Sequence, residues 1–380
     1  MSSPVLPAYG HRSLAEVMPA LLRALGEPEP ASDLAIEPVR GAALLLVDGL
    51  GSRLLRDHAH DAPFLAGLAD AGPLTVGFPS STAISLSSLG TGLPPGAHGI
   101  LGISFRVSDV EVIDALRWTT HGTDEPVDLR ERFPPEEIQP AATAFERAAA
   151  AGIEVTTVTQ RAFRGSGLTR AALRGGRFHA ADAMGDLAAE MINAVTGPGR
   201  RLCYGYHGDL DALGHLHGPG SVPWRYQLRH VDRLASTIAD GLPPDTVLAI
   251  TGDHGMVTVD RTWDADTDDD LCRGVLLLGG DARSRHVHAR PGAAEDVLAA
   301  WQAVLGDAAW VVPGEQAIAD GWFGPLGPQM APRIGDVVMA ARGSAGVIRS
   351  VAEPLISTLP GQHGSLSVEE QEVPLLLHRS

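Results

Sequence analysis

Ala42-Ala43-Leu44-Leu45-Leu46-Val47-Asp48-Gly49 is the stretch whose reading decides the fold. An unbroken apolar run ends in a carboxylate and a glycine. A strand covered on both faces of a parallel sheet reads this way, and it opens into a loop where the charge appears. The run is too short to cross a bilayer. The same signature recurs downstream. Residues 153–159 are strand-like and follow a helical stretch over 141–151. Residues 202–206 run into Asp209 and Asp211, and residues 246–251 run into Asp253-His254. An amphipathic helix over 222–238 separates the last two strands, and another covers 13–25, with Ser13 as cap, Glu16 three residues later and Gly26 as terminator. This alternation predicts an α/β fold with a largely parallel sheet and helices on both faces.

The layout has a chemical consequence. The acids and histidines stand just past the C-terminal ends of the strands, where open α/β sheets place their ligands. Residues 1–40 are read as an N-terminal helix and a polar, Pro-containing linker. Residues 41–259 and 347–380 are expected to form the α/β core, which would carry any catalytic site. Residues 260–346, with scattered Pro, Gly and Trp, are expected to form a small cap subdomain.

Composition narrows the chemistry. The chain has 380 residues, 44% of them hydrophobic, enough for a large core. A net charge of −17 argues against nucleic acid or an anionic membrane as partner. It is compatible with a small anionic substrate if bound cations reverse the field locally. All 29 basic residues are arginine, so a Walker phosphate loop and a Schiff-base enzyme, which both need lysine, are excluded. No G-x-S-x-G elbow and no G-x-G-x-x-G fingerprint is present, which argues against a standard α/β-hydrolase or a dinucleotide enzyme. The two cysteines, Cys203 and Cys272, imply no disulfide framework and are expected as small buried hydrophobes. With no basic start followed by an apolar run, a cytoplasmic location is expected.

Five segments can carry chemistry. In Asp211-Ala-Leu-Gly-His215, an acid and a histidine four apart share a face on a helical turn and can grip one cation. The plain alternative is a polar loop. In Gly252-Asp253-His254-Gly255, an acid and a histidine end a buried strand between glycines that permit a tight turn. Asp48 is costly at a buried strand end unless it is paired or metal-bound, with a helix cap as the alternative. Residues 78–92 are dense in hydroxyls; one of them can serve as a nucleophile if a metal lowers its pKa, or the segment is a capped helix start. His363 lies between Gln362 and Gly364 and is expected on an exposed loop.

Taken in order, Asp48, the hydroxyl segment, Asp211-x-x-x-His215, Asp253-His254 and His363 resemble the nucleotide pyrophosphatase/phosphodiesterase branch of the alkaline phosphatase superfamily. The resemblance runs from about Gly41 to His363. It implies two zinc ions, with manganese as the alternative. Asp211, His215 and His363 would hold one; Asp48, Asp253, His254 and the nucleophile oxygen would hold the other. Aligned through Pro79 and Thr91-Gly92, the nucleophile falls on Thr82. Ser85 stands where the resemblance places an oxyanion donor, and Ala83 where it places an aromatic nucleotide clamp. His217 and Arg106 are further candidates for contact with a phosphate-ester substrate.

The implied activity is metal-dependent hydrolysis of a phosphodiester or pyrophosphate bond in a small molecule. Carbon–phosphorus cleavage and phosphomonoester hydrolysis are rival reactions on the same fold. The lack of lysine, and of arginine beside Thr82, favours diesters. A cofactor-independent phosphoglycerate mutase would need an essential lysine. A metal-stabilised binding protein is the non-enzymatic alternative. Three stretches carry plainer expectations: Asp264 to Asp270 a solvated acidic loop, His286 and His288 a structural pair facing one way, and His98 a loop position.

Overall fold

The structure, a computed structural model, describes residues 3–123 and 125–380. Its central sheet has seven strands in the order Ala69–Asp70, Leu375–Arg379, Thr246–Thr251, Gly41–Val47, Arg201–His207, Glu154–Gln160 and Arg177–Ala181. The last five are parallel. Leu375–Arg379 runs antiparallel to Thr246–Thr251 and pairs antiparallel with the short Ala69–Asp70. The fold is therefore the largely parallel α/β arrangement that the alternation implies.

The apolar run is continuous because both of its faces are covered. Ala42, Leu44 and Leu46 enter one core with the helices Val17–Ala24, Thr82–Thr91 and Ala144–Ala150. Ala43, Leu45 and Val47 enter the other, with Met184–Val195 and Val222–Gly241. Burying each of these Leu side chains contributes roughly 1.5–3 kcal/mol. The N-terminal helix starts at the expected capping box, Ser13 with Glu16, and Gly26 follows it at φ +88°. The Ala144–Ala150 helix starts at a second capping box, Thr143 with Glu146.

Register positions the site. Leu46 pairs with Tyr206 on one side and Thr251 on the other, and Val47 pairs with His207. Three neighbouring strands thus end level, and Asp48, the Asp209–His217 helix and Asp253 leave the sheet at one edge.

Residues 275–341 build a second, antiparallel sheet in the order Val275–Asp281, Ser284–Ala289, Val337–Ala341, Ala309–Pro313. One face (Val287, Val337, Met339) packs under the helix Ala294–Leu305 through Trp301 and Leu305. The other (Val338, Ala340) packs on Phe78, Leu101 and Phe323, just before the hydroxyl segment. Two buried arginines tie this sheet to its surroundings: Arg283 is bidentate to Glu370 and Arg285 to Glu353.

Three expectations change here. The acidic run is an anchor rather than a solvated loop. Asp264 accepts from Ser350, Asp266 accepts from Arg349, Val351 and Ala352, and Asp268 caps the next helical turn. Cys203 is buried as expected, but Cys272 is exposed, because it ends a surface turn rather than a strand. His98 is fully buried: it accepts Ile100 N–H at Nδ1, which leaves Nε2–H to donate to Ser88 Oγ at 3.0 Å. His286 and His288 lie buried on one strand of the second sheet. Among the described residues, no helix is long and apolar enough to cross a membrane.

Candidate metal centre

The separate sequence segments meet at the level strand ends. Asp48 follows the first strand, and Gly49 turns the chain with φ +75° against Asp211, where a side chain would have no room. Gly49 N–H donates to Asp253 Oδ1 at 3.0 Å, linking the first strand's exit to the turn that carries His254. Asp211 and His215 lie one turn apart on the Asp209–His217 helix, with His215 Nε2 3.4 Å from Asp211 Oδ2. His363 arrives from the C-terminal loop and stacks on His254, ring centroids 3.5 Å apart. It is buried, not exposed: the flanking segment is clamped between the hydroxyl segment and Glu370.

Two ligand groups result. One is Asp48, Asp253 and His254, all buried; the other is Asp211, His215 and His363, of which Asp211 and His215 are partly exposed and His363 is buried. Within each group the ligating atoms lie within 4.8 Å of one another. His254 Nε2 is 3.4 Å from Asp48 Oδ1 and 3.6 Å from Asp253 Oδ2. Thr82, the first residue of the helix Thr82–Thr91, places its Oγ1 3.2 Å from His254 Nε2.

Hydrogen bonding fixes the histidine tautomers. His254 Nδ1 lies 3.0 Å from the Gly255 carbonyl, His215 Nδ1 2.7 Å from the Gly361 carbonyl, and His363 Nδ1 2.8 Å from the Ser80 carbonyl. A carbonyl only accepts, so each Nδ1 carries the proton and each Nε2 keeps a free lone pair. This is the arrangement of metal-ligating imidazoles. The carboxylates agree: Asp48 Oδ1, Asp211 Oδ1 and Asp253 Oδ2 are buried without a hydrogen-bond donor.

Burial, then the Asp253 and Asp211 charges, push Asp48 well above the usual carboxylate range, although the Tyr206 hydroxyl donates to it. Burial raises Asp211 as well, against the pull of His215 and His254. Burial, then His254 and His215, push His363 well below the usual imidazole range. Acids that resist ionisation and an imidazole that resists protonation are what a cluster of converging lone pairs does without a compensating cation. The residues fit two divalent cations, one per group.

A cavity of about 370 Å³ opens from this cluster. Asp48, Thr82, Asp211, His215 and His363 line its floor. Much of its wall is apolar, including Leu86, Ile103, Leu116, Phe163, Leu168 and Leu359. Three sequence candidates are not part of it. Ser85 donates its only hydrogen to the Asp253 carbonyl at 2.6 Å, so it braces the Asp253 backbone. Arg106 pairs with Asp109 and the Ser108 carbonyl of its own hairpin. His217 is exposed at the end of its helix. Among the polar residues that do line the wall, Asp114, Arg117, His121, Asp281 and Glu353 carry no motif spacing. Only their tertiary placement brings them to the site.

Comparison with known proteins agrees with this geometry. Residues 42–366 match the model of the type I phosphodiesterase/nucleotide pyrophosphatase family. The chain belongs to that family. Over 61 residues it is 38% identical to human ectonucleotide pyrophosphatase/phosphodiesterase family member 7, a match spanning 15% of this chain and 13% of that protein. Among solved structures, murine ectonucleotide pyrophosphatase/phosphodiesterase 5, an inactive variant in complex with AMP, superposes with a TM-score of 0.66. It is 16% identical, and the match covers 89% of this chain and 87% of that one. The human protein 5 gives the same TM-score at 18% identity, covering 89% and 87%. At these identities the structures speak for the fold, the alkaline phosphatase-like α/β arrangement.

Proposed function

We propose that the protein hydrolyses phosphodiester or pyrophosphate bonds of a small molecule, with Thr82 as nucleophile between two zinc-binding groups. The observation that carries this reading is the placement of Thr82 Oγ1 3.2 Å from His254 Nε2, on the floor of a cavity shared with Asp48, Asp211, His215 and His363. Asp48, Asp253 and His254 would hold one cation and Asp211, His215 and His363 the other. When bound, the cations supply charge compensation for phosphoryl oxygens and lower the pKa of the Thr82 hydroxyl.

The chain's own part follows. Thr82 Oγ attacks phosphorus in line, the leaving ester oxygen takes up one proton in exchange for the one Thr82 gives up and departs as an alcohol or phosphate, and the phosphoryl group stays on Thr82 with its other ester arm. Water then releases the phosphoryl group and restores Thr82. The Thr82–Thr91 helix presents its positive dipole end to the charge that develops at Thr82. The Nδ1–H bonds of the three histidines hold their rings against rotation during both steps.

The cavity wall favours diesters over monoesters. A diester carries one fewer negative charge and has a second arm, which an apolar wall accepts. A reducing, cytoplasmic setting belongs to the same proposal and rests on two cysteines that form no disulfide.

Thr82→Ala tests the assignment. The expected result is a fall in kcat on bis-p-nitrophenyl phosphate of about 10³-fold or more, with zinc content by elemental analysis unchanged. Full activity in this variant removes Thr82 from the mechanism. Preference for p-nitrophenyl phosphate over the diester would move the reading to a monoesterase.

A further inference from the structure

Ser80 stands two residues before Thr82 and is fully buried. Every polar group it has is engaged with the loop that carries His363. Its N–H donates to the Gly364 carbonyl at 3.1 Å. Its hydroxyl donates to the Ser365 carbonyl at 2.9 Å and accepts Gly364 N–H at 3.1 Å. Its carbonyl accepts His363 Nδ1–H at 2.8 Å.

The far side of the loop is clamped as well. Ser365 N–H donates to Glu370 Oε1 at 3.0 Å, and Glu370 is held by the buried Arg283 at 3.0 and 2.6 Å. Gly364 has φ +135°, and a Cβ there would lie 2.1 Å from Asp281 Oδ1, so the loop has no slack toward that side. Only Ser81, in extended conformation, separates Ser80 from Thr82. A shift of the Ser80 peptide therefore moves Thr82 Oγ1 and His363 Nε2 relative to the rest of the cluster.

We infer that Ser80 is a positioning residue that holds the nucleophile Thr82 and the ligand His363 in one fixed relation. Its hydroxyl is the element that does this. Without it, Gly364 N–H and the Ser365 carbonyl face a dry interior with no partner, and the loop relaxes toward other partners. The inference rests on the assignment of Thr82 and His363 given above.

Four zinc-loaded proteins decide it: wild type, Ser80→Ala, Ser80→Thr and Ser87→Ala. Ser87, on the helix that begins at Thr82, is the control for loss of a buried hydroxyl, since it donates only to Ala83 O at 2.7 Å. In Ser80→Ala, kcat on bis-p-nitrophenyl phosphate is expected to fall about 10- to 100-fold, with KM within about twofold. The same variant is expected to give up zinc to EDTA at a concentration that leaves the wild type loaded. Ser80→Thr keeps the hydroxyl and restores both readouts, and Ser87→Ala leaves both as in the wild type. Wild-type kcat and zinc retention in Ser80→Ala overturn the inference, and so does an equal loss in Ser87→Ala, which marks plain destabilisation. Should Thr82→Ala stay active, the nucleophile assignment fails by itself, and the zinc-retention comparison still decides the link from Ser80 to His363.

Discussion

The two ligand groups share one ring stack yet are built differently. Asp48, Asp253 and His254 leave two adjacent parallel strands whose ladder sets Leu46 beside Thr251. They are buried, and of the three only Asp48 lines the cavity. Asp211, His215 and His363 come from a helix and a distant loop, and all three line the cavity. The Asp211 and His215 side chains remain 15% and 22% exposed. One group is fixed by sheet hydrogen bonds that cannot slip without moving the sheet. The other depends on contacts such as His215 to Gly361 and His363 to Ser80, which join segments far apart in the chain. Rigidity is concentrated on the side of Thr82, and access on the side of the solvent.

The largest effect expected from this contrast is on the closed side. Asp253→Asn keeps the shape and removes the charge from a buried group. Turnover should fall about 10³-fold, the equivalent of several kcal/mol of lost charge stabilisation. Elemental analysis should find about half the zinc, and added metal should not restore it. A variant that keeps both its zinc and its turnover would deny the buried group its role.

His215→Ala probes the open side and should cost less, about 100-fold. Its site faces the cavity, so raising free zinc should recover part of the activity. If Asp253→Asn and His215→Ala respond alike to added zinc, the division into a closed and an open group collapses.

The smallest effect is a pH dependence on the closed side. His98 donates to Ser88 on the helix that begins at Thr82, and burial, then Arg333, pushes its pKa down to about 3. His98 is thus neutral in the folded protein, while in the unfolded chain it protonates near 6.5. Its stabilising contribution is complete above that value and is lost as pH falls from there toward 3. The Tm gap between wild type and His98→Gln should therefore narrow steadily from neutral pH to about pH 4. A gap independent of pH would mean that His98 titrates alike in both states.

Much of the fold is legible in the sequence where burial is two-sided. The run at residues 42–47 has no polar break because helices cover both of its faces, and the strands at Arg201–His207 and Thr246–Thr251 follow the same logic. Asp211 and His215 are legible as a pair because helical spacing alone puts them on one face. His363 is different. Its neighbours in sequence suggest an exposed loop, and only the stack on His254 and the bond to Ser80 make it interior. Ser85, Arg106 and His217 show the converse. Each has the right chemistry, but nearby backbone, a hairpin partner or solvent takes up its polar atoms.

The sequence by itself determined the class of sheet, the edge at which the acids and histidines emerge, and the chemical types that gather there. Hydrophobic periodicity and strand-end charge are local properties, and local properties survive in a linear string. Tertiary structure alone decided which of the two groups of candidate ligands is closed and which is open, which side chains wall the cavity, and that Ser80, two residues before Thr82, bonds to the loop of His363. Those outcomes depend on polar groups some 284 residues apart finding one another in a dry interior. There the cost of leaving a polar group without a partner selects one arrangement, and no spacing rule encodes it.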